Sequence, residues 1–490
     1  MSTGSTCARS TGSFIREGSQ IGPFGAGMTL NALCLATACA TYTAAPIQPD
    51  SQREPFNARS LDDPALLAWF DSLGQPRPSA EWTPRQLAMA ATWLRTDRAV
   101  RLAEIAVADA AVETAGGRPQ PGVSSDLEYA FSDPQASSRW GVALAGLFTI
   151  ELGGKRGARI GRARAAALAA RAAAAESEWE QVNGVYAALL AWSQAEQLVI
   201  SSHEERLAHD SVVGLMQARF EGGTLTRLDV ARSEGERRAA ITAEQAAIRD
   251  AMEARSGLAQ VMGLPISAVG QAVEARGAEH RWPDCDDGTP SRDSLQRTAL
   301  GARWSVRRAA AEYQVAEGDL RVEVANAAPD LTLGPGVFFD QGTGKFTLGL
   351  GLPSLALNRN RGPIGEAEAR RTAAGARLMQ AQELVLGQLD GALASCDGAR
   401  RQVVAVDSLA AQAERRLSLT EAGYSRGESG RLEVMAARVD LMRSLRVARE
   451  ARLRQQQAGV ALERALGAWG NRGDGPWPLP GLPPQERSTE

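Results

Sequence analysis

Residues 220–230 read Phe-Glu-Gly-Gly-Thr-Leu-Thr-Arg-Leu-Asp-Val, and residues 424–434 read Tyr-Ser-Arg-Gly-Glu-Ser-Gly-Arg-Leu-Glu-Val. Both stretches carry an aromatic residue, a glycine, an Arg-Leu pair, a carboxylate and a valine in the same register. The same offset of 204 residues separates Ile160-Gly161 from Ile364-Gly365. A spacing that holds without an insertion between two landmarks indicates two copies of one structural unit. The sequence therefore predicts an internal repeat.

Long helices are predicted on both sides of these stretches, because residues 135–264 and 364–475 contain no proline. Proline breaks helices, whereas the Ala, Leu, Arg, Glu and Gln that fill these windows favour them. A helix from Ile160 to about Phe220 would extend roughly 90 Å, and its alanine runs suit close packing of helices. Glycines in the repeated stretches permit left-handed backbone angles. We therefore expect two long helical hairpins whose tips are the two repeated stretches.

Strands are predicted before each helical window, because apolar residues alternate there with small or polar ones. From Phe346 to Leu352 every even position is large and apolar, and residues 142–150 repeat the pattern. Each has an upstream partner strand and an intervening turn, expected at residues 127–131 and 133–134 in the first copy and at 331–339 and 340–344 in the second. The chain thus offers four strands of roughly 8 to 11 residues, the length that crosses a bilayer when tilted.

Composition narrows the function classes. The net charge of −3 argues against a nucleic-acid-binding protein. No window of about 18 apolar residues suggests a membrane-spanning helix. Four strands cannot close a barrel alone, and an open strand edge in lipid would leave backbone groups without hydrogen bonds. The smallest consistent solution is an oligomer that pools its strands, and a threefold assembly would provide twelve.

The N-terminal region resembles a bacterial export signal. Residues 28–38 form a short apolar stretch that ends in small residues, and Cys39 follows directly. This pattern predicts lipidation of Cys39 after cleavage, while the alanines on either side of it also fit an ordinary small-x-small cleavage site. The sequence leaves open whether Cys285 and Cys396 form a disulfide.

With paired strands, long hairpins and an export signal, the chain resembles the TolC-like outer-membrane efflux protein family. The two tip stretches carry this resemblance most specifically. Junction residues at 151–156, 352–353 and 358–362 resemble the heavy-metal (CzcC-like) branch of the resistance-nodulation-division efflux systems. The resemblance implies a mixed α and β fold, a TolC-like α/β-barrel with long coiled α-helical hairpins and four membrane β-strands per chain. Three chains, each with an internal two-fold repeat, would form a trimeric 12-stranded barrel.

The chain is accordingly divided into six segments. These are an export signal (1–38), an N-terminal segment with the first helices (39–120), repeat 1 (121–264), a connector (265–290), repeat 2 (291–470) and a disordered tail (471–490).

The resemblance implies a passive outer-membrane duct of a tripartite efflux pump that exports heavy-metal cations. Its expected partners are two further copies in a homotrimer, a periplasmic adaptor (membrane fusion) protein, an inner-membrane proton-driven pump and outer-membrane lipid. The protein is expected in the bacterial outer membrane, extending into the periplasm and anchored by lipid. Two alternatives remain: a duct for multidrug efflux or type I protein secretion, and a coiled-coil scaffold of the cell envelope.

No enzymatic activity, cofactor or nucleic-acid partner is expected, because in the implied mechanism the driving force acts at the distant pump. A metal site is not expected either. His203 and His209 are six residues apart and therefore lie on different faces of a helix, which argues against a metal-ligand pair.

Carboxylates after the second tip stretch are implied by the resemblance to ring the periplasmic entrance. Glu433 occupies that place, and Asp229 is its counterpart in the first copy. Arg431 and Arg227, two residues earlier, would hold a closed state through ion pairs that opening must break. The alternative is that these residues cap and solvate the start of a helix, where carboxylates are favoured.

The tips are also the expected docking site of the adaptor, which would pack a helical hairpin against them. In the alternative interpretation, the same residues only shape the turn. The residues concerned are Phe220, Gly223, Leu228, Val230, Tyr424, Gly427, Leu432 and Val434.

Overall fold

The computed structural model describes most of the chain. The described residues are 42, 44–48, 50–76, 82–129, 131, 139–269, 285, 291–340, 343–352 and 359–467. The predicted lipidation residue Cys39, most of the connector (265–290) and the tail (471–490) lie outside these residues. Contacts divide the chain into two units, residues 1–54 and 55–490. All described residues of the first unit are exposed.

The order of helices and strands repeats once along the chain. The helices are α1 (Arg53–Asn57), α2 (Pro64–Ser72), α3 (Pro84–Leu94), α4 (Asp97–Ala115), α5 (Lys155–Glu221), α6 (Arg227–Met262), α7 (Arg292–Ala302), α8 (Trp304–Asn326), α9 (Arg361–Ser425) and α10 (Arg431–Leu466). The strands are β1 (Gly122–Tyr129), β2 (Trp140–Ile150), β3 (Leu331–Asp340) and β4 (Thr343–Gly351). The pair α3 and α4 precedes the first two strands as α7 and α8 precede the last two.

Two long helical hairpins, α5 with α6 and α9 with α10, dominate the second unit. α5 has 67 residues and α9 has 65, so each extends about 100 Å at the rise of an α-helix. α6 and α10 have 36 residues each and begin and end at positions related by the offset of 204. α5 starts at Lys155, before the predicted Ile160. Gly153 and Gly154 directly before it have left-handed backbone conformations, so the helix begins at the next residue. None of the helices in the described ranges combines the length and hydrophobicity needed to span a membrane.

The four strands form one antiparallel sheet in the order β1-β2-β3-β4. The central pair joins the two repeats, since β2 belongs to the first and β3 to the second. In this pair Ile150 lies opposite Leu331, and Val142 lies opposite Phe339. β1 and β4 are left as the two edges of the sheet within the described part of the chain.

The sheet has two chemically different faces. Large apolar residues of neighbouring strands lie opposite one another, as in the row of Leu127, Val142 and Phe339. The other face carries mainly small, polar or charged residues, such as the pair Glu128 and Gly141, with Leu147 and Phe338 as its two large apolar members. The large exposed members of the apolar face are Val123, Leu127, Tyr129, Trp140, Val142, Leu144, Phe148, Ile150, Val337, Phe339, Phe346, Leu348 and Leu350. This alternation is typical of strands with lipid on one side and water on the other.

The structure corrects the predicted bounds of β1 and of the turn between β3 and β4. β1 occupies Gly122–Tyr129 and not residues 127–131, because polar residues such as Ser124 face the polar side and allow the strand to begin earlier. The turn between β3 and β4 is shorter than predicted, because Asp340 already pairs with Thr343.

Helical packing concentrates the large apolar residues near the middle of the hairpins. α5 packs against α3, α4, α6, α8 and α10, while α9 packs against α7, α8 and α10. One core joins α2 and α3 to the long helices through Phe70, Leu87, Leu190 and Leu258, all fully buried. Elsewhere the buried positions are mainly alanines, such as Ala451, which let neighbouring helices approach closely.

A disulfide settles the question that the sequence left open. Cys285 and Cys396 are bridged, with a Cα–Cα distance of 5.4 Å and a sequence separation of 111 residues. The bridge ties the inter-repeat connector to α9, within a second core that includes Leu295, Leu389 and Leu462. Closing a loop of this length removes chain entropy from the unfolded state and stabilises the fold by about 4 to 5 kcal/mol.

The two-faced sheet predicts unequal responses to charge. Leu348→Arg places a cation on the apolar face of β4, and we expect it to reduce the free energy of unfolding in lipid by about 2 to 4 kcal/mol. Thr347→Arg, one residue earlier on the polar face, should cost less than about 1 kcal/mol. Urea-induced unfolding in reconstituted bilayers measures both. Equal losses in the two variants would contradict the assignment of the faces.

Candidate functional site

Each long hairpin ends in a tight turn of the same geometry. Gly223 and Gly427 take left-handed backbones, with φ of 73° and 78°. Their N–H groups donate to the carbonyls of Phe220 and Tyr424 at 2.9 and 3.0 Å. The N–H of the following residue reaches back to the last helical turn in both copies. This double hydrogen bond is a Schellman cap, in which the left-handed position strongly favours glycine.

The predicted docking residues divide into buried and exposed sets. Val230 and Val434 are buried, and they fix the start of the returning helix against its partner. Leu228 and Tyr424 are exposed, with 69% and 51% of their surface accessible. Exposed apolar side chains at the end of a hairpin are available to a second protein. Of the remaining members, Phe220 and Leu432 are half-buried, while Gly223 and Gly427 are exposed in the turns.

Asp229, predicted as a gate residue, caps α6. Its carboxylate accepts hydrogen bonds from the Thr226 hydroxyl at 2.6 Å and the Thr226 N–H at 3.0 Å. The Asp229 N–H donates in return to the Thr226 hydroxyl, which completes a capping box. The pKa of Asp229 is lowered first by the Thr226 hydroxyl and second by its backbone N–H. Within one chain this side chain is therefore used by the fold.

Glu433, the equivalent residue in the second repeat, has a different environment. The N-cap of α10 is Gly430, which has no side chain to form a capping box. Glu433 instead approaches Arg219 at the end of α5, with 3.9 Å between Oε2 and Nη2. A Cβ on Gly430 would collide with the Glu433 carboxylate and lie 2.7 Å from Arg219 Nη2. The missing side chain therefore leaves room for an ion pair between the two hairpin tips.

The other two predicted gate residues have no such partner. Arg227 and Arg431 occupy the first position of α6 and α10 and are exposed. Neither makes an ion pair with another described residue of the same chain. The structure thus brings Glu433 to Arg219, and does not bring Asp229 to Arg227 or Glu433 to Arg431.

A second ionic contact between the hairpins lies farther from the tips. Arg443 and Arg446 of α10 both reach Glu205 of α5, with N–O distances of 3.4 and 3.0 Å. Arg449, one turn farther, reaches Glu204 at 3.3 Å. Glu205 is largely buried, so solvent screens its ion pairs with Arg443 and Arg446 less than it screens a surface ion pair. The arginines lock α10 onto α5.

His203 and His209 also belong to this region, and each has its own partners. His203 Nδ1 lies 2.7 Å from Glu244 of α6. His209 is buried, with Arg443 at 3.3 Å from Nε2 and Glu236 at 3.8 Å from Nδ1. Burial lowers the pKa of His209, and the charge of Arg443 lowers it further.

Sequence reasoning missed Arg219, Thr226, Gly430 and the arginines of α10. A signal for Thr226 was present, because Thr-x-x-Asp is the pattern of a capping box. The arginines at 443, 446 and 449 recur every three residues and so share one helix face. Arg219 stands where the second repeat has Gly423, and no local pattern connects it to Glu433.

His209 predicts a pH dependence of stability. Because its pKa is lowered in the folded protein, the unfolded chain binds the proton more readily. Stability should therefore fall as the pH drops below the ordinary value of 6.5. Glu236, Glu205 and Asp210 oppose the shift without reversing it. We expect the Tm of the purified protein to fall less between about pH 8 and pH 5.5 in His209→Gln than in the wild type. An identical fall in both would contradict this role.

Sequence comparisons relate the chain to outer-membrane efflux proteins. The sequence profile described as "Outer membrane efflux protein" matches residues 295–468. The pyoverdine export outer membrane protein OpmQ of Pseudomonas putida is 30% identical over 295 residues, which cover 56% of this chain and 58% of that protein. OpmQ of Pseudomonas aeruginosa is 24% identical over 478 residues, which cover 90% of this chain and 96% of that protein.

The fold also matches solved structures. The structure of the outer-membrane channel OprN has a TM-score of 0.66 at 18% identity, covering 87% of this chain and 97% of that one. The mixed α and β, TolC-like fold predicted from the sequence is confirmed. Both relatives are named for pyoverdine export and not for heavy metals. These matches therefore support a likeness to outer-membrane efflux proteins and not the predicted heavy-metal branch. Over residues 295–468 the chain matches the profile of outer-membrane efflux proteins, and its fold is that of solved outer-membrane channels such as OprN.

Proposed function

We propose that this chain is the outer-membrane duct of a tripartite export pump and works as a homotrimer. The observation that carries the proposal is the two-faced sheet with open edges at β1 and β4. Backbone groups at such edges must be hydrogen-bonded inside lipid. Three sheets joined edge to edge would satisfy them in a 12-stranded barrel, with the apolar faces outside. The six long hairpins would then continue the duct away from the membrane.

The hairpin tips are the proposed docking site for a periplasmic adaptor, which would connect the duct to an inner-membrane proton-driven pump. Leu228 and Tyr424 support this role, because they are exposed apolar side chains on turns that the Schellman caps hold rigid. The buried residues Val230 and Val434 would position the turns. Both the docking interpretation and the turn-shaping interpretation thus apply, to different residues.

For the cargo, we favour a secreted organic compound of the pyoverdine kind. The support is the name shared by both relatives, one of which aligns along 90% of this chain. Heavy-metal cations are the second candidate, because residues 151–156 at the strand-to-helix junction resemble the heavy-metal branch. Glu433 does not favour cations strongly, since Arg219 lies beside its carboxylate and offsets its charge.

We further propose that Arg219 and Glu433 hold the entrance in its resting arrangement. The pair joins the end of α5 to the start of α10, so tilting one hairpin away from the other must separate it. Each chain contributes one such pair, and a trimer would contribute three. Asp229 has a smaller role, because its carboxylate is occupied by Thr226. Arg227 and Arg431 are exposed and would meet acidic groups only across chains.

A complementation experiment tests the cargo. Pseudomonas putida cells that lack OpmQ would receive this chain, with restored OpmQ as the positive control. We expect pyoverdine, measured by chromatography, to return to the medium while cellular zinc, cobalt, nickel, cadmium and copper stay unchanged. Lower cellular metal without pyoverdine export would instead support the heavy-metal duct. Outer-membrane amounts of both proteins should be matched by immunoblot.

Single-channel recording in planar bilayers tests the entrance. A half-exposed ion pair contributes up to about 1 kcal/mol, so losing three could change the ratio of closed to open channels by up to about a hundredfold. We expect Glu433→Gln and Arg219→Gln to raise the open fraction. The exchanged pair Arg219→Glu with Glu433→Arg should restore it toward the wild type. If the exchanged pair opens as readily as the single variants, the ion pair does not hold the entrance.

A further inference from the structure

The antiparallel order of the sheet brings four chain segments to one end. β1 and β3 begin there, and β2 and β4 end there, so this end carries all connections to the long helices. In the described part of the chain, the segments are residues 116–121, 151–160, 327–330, and 352 with 359–361. We call this the helical end of the sheet.

The helical end has an excess of positive charge. Its four segments contain six basic and two acidic residues, although the whole chain has a net charge of −3. Both acidic residues are already paired: Asp330 accepts from Lys155 at 2.7 Å, and Glu151 accepts from Arg159 at 3.0 Å. Four arginines therefore remain without an acidic partner.

These four arginines, which we call the basic collar, are Arg118, Arg156, Arg359 and Arg361. All are exposed, and none forms an ion pair with any residue that the structure describes. Arg156 Nε donates to the carbonyl of Gly116 at 2.7 Å, which fixes its position without neutralising its charge. Three chains would carry twelve such arginines.

The collar lies next to the apolar face of the sheet. Ile150, Leu331 and Leu350 are the apolar-face residues nearest the helical end, and Ile150 and Leu350 are exposed. Each collar residue lies within about ten residues of the end of a strand. If the strands span the hydrocarbon core of a bilayer, their ends lie at its boundary with the polar headgroup layer. The opposite end differs in charge, because its described residues, 128–129, 131, 139–140, 338–340 and 343–345, contain two acidic and two basic residues.

We propose that the basic collar binds the phosphate groups of anionic phospholipids in the periplasmic leaflet of the outer membrane. Guanidinium groups bind phosphate through paired hydrogen bonds, and these four lack a carboxylate that would compete. The attraction of one arginine to an anionic lipid surface corresponds to about fivefold in affinity. The collar would thus set the depth of the sheet in the bilayer and select the lipid that surrounds it.

Native mass spectrometry of the purified full-length trimer tests this inference. The trimer would be titrated with phosphatidylglycerol or with phosphatidylcholine of the same acyl chains. We expect a preference for phosphatidylglycerol that weakens at high ionic strength. The variant R118Q/R156Q/R359Q/R361Q should reduce this preference at least about fivefold. The matched control, which removes the same charge far from the sheet at exposed arginines, is R232Q/R238Q/R415Q/R438Q.

A triple variant, R118Q/R359Q/R361Q, keeps the hydrogen bond of Arg156 and serves if the quadruple variant fails to form trimers. The proposal is overturned if the wild type binds both lipids equally or if the collar variants keep the preference. An equal loss in the control variant also overturns it, since net charge alone would then explain the binding. Collar-dependent binding of lipid A in place of phosphatidylglycerol would assign the phosphates to the opposite leaflet and reject the proposal.

Discussion

The open edges of the sheet are the constraint on which the rest of the structure depends. Among the residues that the structure describes, β1 and β4 have no strand partner along one side, which leaves backbone N–H and C=O groups unpaired there, and the sheet is apolar on one face. Lipid cannot supply hydrogen bonds to such edges, so one chain cannot remain alone in a bilayer. The duplication provides only four strands, so the proposed duct needs strands from further chains to close its barrel.

The helical hairpins meet the same requirement at the other end of the molecule by different means. Helices satisfy their own backbone hydrogen bonds, so α5 and α9 can extend about 100 Å without a thick core. Their packing relies on alanines, and the large buried residues of the described chain gather mainly where α2, α3 and α7 add a second layer. Specific contacts then fix how α10 is aligned along α5, notably the ion pairs of Glu205 with Arg443 and Arg446.

Periodicity made the repeats, strands and hairpin tips predictable from the sequence, because each follows from local rules. The start of β1 was missed because Ser124 and Asp126 disguise a strand whose other side is apolar. Pairing of Cys285 with Cys396 brings together residues 111 apart in the sequence, which no local pattern encodes. The predicted gate residues lie at the hairpin tips, and their roles stay predictions, as do those of the docking residues.

The two tips show how a duplicated unit can separate structure from function. In the first repeat, the carboxylate of Asp229 is hydrogen-bonded to Thr226 in a capping box. In the second, glycine at position 430 removes the capping hydroxyl, and the carboxylate of Glu433 turns to Arg219 on the other hairpin. A cap stabilises one helix end, whereas a pair between hairpins depends on how they are arranged. Glycine at position 430 therefore leaves Glu433 in a contact between two hairpins, the kind of contact that the proposed gate requires.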